Sequence, residues 1–136
     1  MIDPENVPDV HETELLTRFL LSKSHIRADG TIKPNAFIPH PYEDLSVNRH
    51  RDATEAGTWS IGHAIARNRN DKKTLKGRAD IIAIKFIKQR LKVEADPIEG
   101  NPNHAIVLRW PKEKPAQKAI ALEICKDAKF VTQNHS

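Results

Sequence analysis

The chain has 136 residues, 38% of them hydrophobic and 29% charged, with a formal net charge of +4. This is enough apolar material for one core, which excludes a wholly disordered chain, and no stretch approaches the roughly 20 apolar residues of a bilayer span. A lone cysteine, Cys125, excludes a disulfide framework and a Cys-based zinc site, and the acidic first fourteen residues, with no Lys or Arg, are unlike a secretory signal.

Residues 1–8, polar with two prolines, are expected to form a flexible segment ahead of a single domain over 9–136. Asp9 with Glu12 resembles a capping box, and Leu15, Leu16, Phe19 and Leu20 share one helical face, so the spacing predicts a helix from Val10 to Leu21. Ala28-Asp29-Gly30-Thr31 is a turn, and Pro34, Pro39 and Pro41 forbid a long helix. Ala36–Ile38 and the alternating Leu45–Arg49 read as strands. Trp59, Ile61, Ala64 and Ile65 predict a short helix ending near Arg67.

The run Ala79–Ile87 is apolar on both faces and predicts a central strand with Ile82, Ile84 and Phe86 in the core. Leu91–Asp96 is expected as its half-exposed neighbour, and His104–Trp110 as a third strand. A last helix is predicted from Pro115 to Lys129, burying Ala116, Ala119, Ile120 and Ile124. The order predicts an α+β fold: one small, mostly antiparallel sheet packed with about three helices.

Charge is unevenly spread. Residues 1–66 hold six basic and ten acidic side chains, residues 67–92 hold ten basic and two acidic, and the remainder is balanced. A concentrated positive segment attracts polyanions because Lys and Arg displace the counterions of a phosphate backbone. Arg67, Arg69, Lys72, Lys73, Lys76 and Arg78 are the candidate nucleic-acid contacts. Aromatic stacking partners are few, at 5% of residues, and Trp59 and Trp110 are expected in the core, so base-specific readout is not indicated.

Gly-rich phosphate loops, H-E-x-x-H and the G-x-S-x-G elbow are all missing from the sequence, and no metal site or cofactor is expected. Asp80 and Glu94 lie on neighbouring predicted strands, but the lysine of a restriction-type nuclease motif does not follow. Among seven histidines, His25 follows a predicted helix end and His104 begins a strand, both common addresses for working residues. With Arg27 and Arg49 they are the candidate catalytic set of a metal-independent phosphodiesterase or nucleotide-processing enzyme. Two histidines titrate near neutral pH as acid and base, and arginine grips phosphate. Ser46 adds a hydroxyl on the Leu45–Arg49 strand.

Three readings follow. The first is a cytoplasmic protein that binds nucleic acid or another polyanion through residues 67–92. The second is the enzyme just described. The third is an interaction subunit whose acidic and basic regions dock copies of the chain or a protein partner. Convergence of His25, Arg49 and His104 on one concave pocket would favour the enzyme.

Overall fold

The computed structural model describes residues 7–39, 44–69 and 74–133. Its strands are β1 (Leu15–Leu20), β2 (Leu45–Arg49), β3 (Gly77–Ile82), β4 (Lys92–Ala95), β5 (His104–Leu108) and β6 (Lys129–Val131). Three helices accompany them: α1 (Glu55–Arg67), the single turn α2 (Ile84–Ile87) and α3 (Lys114–Asp127). The strands form one antiparallel sheet in the order β4-β5-β2-β1-β3-β6, so the fold is α+β as expected. No helix among the described residues is long and apolar enough to cross a membrane.

One sheet face makes the core. Leu16, Leu20, Leu45, Val47, Ala79, Ile81, Ala105 and Val107 meet Ala121 and Ile124 of α3, with Phe37, Phe86 and Trp110 filling between them. The other face carries a polar centre, since Thr17 lies opposite both Asn48 and Asp80. Helix α1 covers part of it. Thr54 caps this helix by accepting from the Gly57 N–H at 3.0 Å. Gly62 lets the helix approach closely, because a Cβ there would lie 2.7 Å from the Phe19 ring.

The first predicted helix is instead strand β1. Leu15-Leu16 and Phe19-Leu20 mimic a helical face, but they belong to a central strand whose adjacent residues point to opposite, largely covered faces. Asp9 is no helix cap; its carbonyl accepts from Arg49 Nη2. Pro8 is tied down by the same side chain, whose Nη1 donates to its carbonyl at 2.8 Å.

Two further strand expectations need correction. Ala36 and Phe37 belong to a 3-10 turn, Pro34–Phe37, opened by the fixed φ of Pro34. The Ala79–Ile87 run ends as a strand at Ile82, and its sheet neighbours are β1 and β6, not Leu91–Asp96, which pairs with β5 at the far edge. The N–H groups of Ala83 and Ile84 donate to the carbonyls of Glu14 and Glu12, both at 2.8 Å, and the chain then coils into α2. Phe86 is fully buried from that turn and meets Phe37 edge-on at 6.5 Å, whereas Ile82 is 43% exposed. Helix α3 buries Gln117, Ala121 and Ile124, leaving Ala119 exposed, and the chain returns to the sheet as β6.

Candidate functional site

The sheet forks at its centre. All six residues of β1 pair with β3, from Leu15 opposite Ile82 to Leu20 opposite Gly77. With β2 only Leu16 and Thr17 pair, opposite Arg49 and Asn48, while Leu45–Asn48 of β2 pair with β5. Beyond Thr17 the two strands therefore separate, and backbone groups on their facing edges need other partners. Arg18 supplies one: its Nε donates to the Ala36 carbonyl and its Nη1 to the Ser46 carbonyl, both at 3.0 Å.

A cleft of about 500 Å³ opens at this fork. Its polar lining includes Arg18, His25, Ser46, Asn48, Arg69 and His104, contributed by β1, the 3-10 turn Lys23–His25, β2, the segment after α1 and β5. Burial, with the charges of Arg18 and Arg69, pushes the His25 imidazole below its usual range, so the ring is neutral at pH 7. His25 Nδ1 is buried without a hydrogen-bond partner among the described residues. Burial and the neighbouring Arg69 likewise push Arg18 down to about 10.

His104 is oriented differently. Its Nδ1 lies 3.0 Å from both the carbonyl and the Oδ2 of Asp96. Both are acceptors, so Nδ1 carries the proton and Nε2 is left to exchange one. Among the described residues no three His, Cys, Asp or Glu side chains gather to hold a metal ion.

The cleft thus joins His25 and His104 of the candidate catalytic set, and Ser46 with them, but not its two arginines. Arg27 donates through Nη1 to the Ile32 carbonyl at 2.8 Å and lines a separate groove beside Cys125. Arg49 is 1% exposed and locked to Glu14, opposite Leu16, so its donors are occupied by the protein itself. Two other arginines, Arg18 and Arg69, line the cleft. Arg18 was not among the sequence candidates because it falls outside the helical face Leu15, Leu16, Phe19 and Leu20; the signal was an arginine inside a strand-length apolar run.

Among the described residues, the basic segment is divided between paired and exposed side chains. Arg78 is 3% exposed, pairs with Asp80 and Glu55 at 3.0 Å each, and stacks on Trp59 at 4.9 Å. Lys76 Nζ donates to Thr74 Oγ1. Arg67 is exposed at the end of α1, and Arg69 is exposed on the cleft rim. Lys72 and Lys73 lie outside the described residues. Lys85 and Lys92, further along, pair with Asp127 and Glu94.

A polar chain that the sequence reading did not single out runs beneath α1. Thr17 Oγ1 donates to Asp80 Oδ1 at 2.7 Å and lies 2.6 Å from His50 Nε2, which must then be the donor. Burial chiefly, with the Arg78 charge, lowers the His50 imidazole despite the opposing pull of Asp80 and Glu55.

No protein-family model, curated protein or solved structure matches this chain.

Proposed function

We propose that the fork cleft binds a phosphate ester and that His25 and His104 move protons during its cleavage. The observation that carries this reading is the meeting of both histidines with Arg18 and Arg69 on one concave surface. Cationic groups held close enough to lower one another's proton affinity are stabilised by an anion placed among them. Neutral His25 accepts the proton of an attacking water or hydroxyl as its oxygen bonds to phosphorus. His104, its ring held by Asp96, acts from Nε2 as the acid that passes a proton to the departing oxygen as the P–O bond breaks. Arg18 and Arg69 stabilise the charge that grows on the phosphoryl oxygens.

Binding of a nucleic-acid strand is the second reading. It is favoured by Arg69, which belongs both to the basic segment and to the cleft rim, with Arg67 exposed two residues earlier. A single strand following these cations would present its phosphodiesters to the cleft.

The test is hydrolysis of bis(p-nitrophenyl) phosphate and of labelled RNA and DNA, with binding followed at two salt concentrations. His25→Ala and His104→Ala should each lower turnover by about 10²- to 10⁴-fold while leaving binding in place. Arg69→Ala should weaken binding and flatten its salt dependence. A protein that neither binds nor cleaves any of these at low salt overturns both readings.

A further inference from the structure

Resting on the phosphate-ester reading, we infer that the ligand is a nucleotide, whose base lies against an apolar wall led by Ile98. The cleft, at about 500 Å³, falls within the range of roughly 300–1,000 Å³ that accommodates organic ligands and is far larger than a phosphate needs. Its remaining lining is mostly apolar, with Ser22, Asn35 and Asp44 as the polar exceptions. Ile38 comes from the segment after the Pro34–Phe37 turn, Ile65 from α1 and Ile98 from the β4–β5 connection.

Ile98 is the informative member. It is 46% exposed, and of the five large apolar side chains exposed among the described residues it is the one that lines this cleft. It is also held in place. Ile98 and Asn101 exchange backbone hydrogen bonds of 3.2 and 3.0 Å. The buried Asn101 side chain exchanges two more with Asn48, at 2.8 and 3.1 Å, and Asn48 is itself part of the cleft. Two buried amides thus spend their hydrogen bonds fixing a turn whose product is an exposed isoleucine at the cleft.

A bare phosphate or a sugar phosphate makes no use of that surface. A nucleobase does, because its flat face is covered favourably by aliphatic side chains while its edge needs donors and acceptors. Asn35 supplies such an amide: it lines the cleft, is exposed, and makes no side-chain hydrogen bond among the described residues. The cations Arg18 and Arg69 and the two histidines take the phosphate.

The experiment is calorimetric titration of the full chain with the four ribonucleoside 5′-monophosphates, ribose 5-phosphate and inorganic phosphate. At least one nucleotide should bind about tenfold or more tighter than ribose 5-phosphate, the difference being the buried base. Ile98→Ser should remove that advantage and leave ribose 5-phosphate binding unchanged; Ile98→Leu should keep it. Because Ile98 is exposed, both variants should melt with the parent protein. Equal binding of nucleotides and ribose 5-phosphate, or an equal loss for both in Ile98→Ser, overturns the base wall and leaves the phosphate reading standing. Binding of none of these ligands overturns the phosphate reading and the inference with it.

Discussion

Arg49 and Glu14 meet edge to edge, Nε to Oε1 and Nη2 to Oε2 both at 2.8 Å, with the arginine side chain 1% exposed. The remaining guanidinium donors reach the carbonyls of Pro8 and Asp9, so one side chain ties the described N-terminal residues to β2. Removing the half-buried carboxylate strands the buried Arg49 charge. Glu14→Ala should therefore lower unfolding free energy by about 3 kcal/mol or more, measured by urea titration, with ligand affinity at the cleft preserved in the folded fraction. A stability equal to the parent's would show that water reaches Arg49.

Phe86 and Ile82 separate the turn from a continuous strand. Phe86 is fully buried against Phe37, and Phe86→Ala should cost about 3–5 kcal/mol. Ile82, in strand β3 but 43% exposed, should tolerate alanine at a cost below about 1 kcal/mol. Equal losses in thermal melts would restore the unbroken strand.

Thr17 hydrogen-bonds at once to His50 and Asp80 with no exposure of its own. Thr17→Val keeps the shape and removes both bonds, which should cost about 1–3 kcal/mol. Thr17→Ser should retain most of the parent stability, because its hydroxyl can make the same pair. If valine proves neutral in chemical denaturation, the chain of bonds contributes nothing net.

The pH dependence has two stages with the same sign. His25 and His50 bind protons less readily when folded, so below the ordinary histidine value of 6.5 the unfolded chain takes up more protons. Stability is then lost as pH falls from that value towards the depressed folded ones. Glu14 follows lower down: burial opposes ionisation, but the hydrogen bonds from Arg49 and the His11 N–H and the charges of Arg49 and Arg51 outweigh it. Its contribution is present above its ordinary value of 4.5 and disappears as pH falls through the depressed folded one. Melting temperatures from pH 8 to 3 should decline in these two steps. His50→Gln should flatten the first, and a decline confined to below pH 4.5 would exclude both histidines from it.

The α+β class, strands β2, β4 and β5, the Ala79–Ile82 part of β3 and helices α1 and α3 were legible in the sequence. In each, local spacing and tertiary burial agree: Leu45 and Val47 alternate into the core, and Pro115 opens α3. His25 and His104 were legible as candidates, because both stand where irregular chain meets a regular element. The tertiary structure decided the rest. Leu15–Leu20 is a strand because it lies between β2 and β3 with both faces largely covered, and two-sided burial erases the period that separates strand from helix. Ala83–Ile87 bends because the carbonyls of Glu12 and Glu14, some seventy residues away, capture its N–H groups. The choice among the arginines was equally non-local. Their side chains are chemically alike, and only the fork between β1 and β2 sends Arg18 to the cleft while Glu14 holds Arg49 away from it.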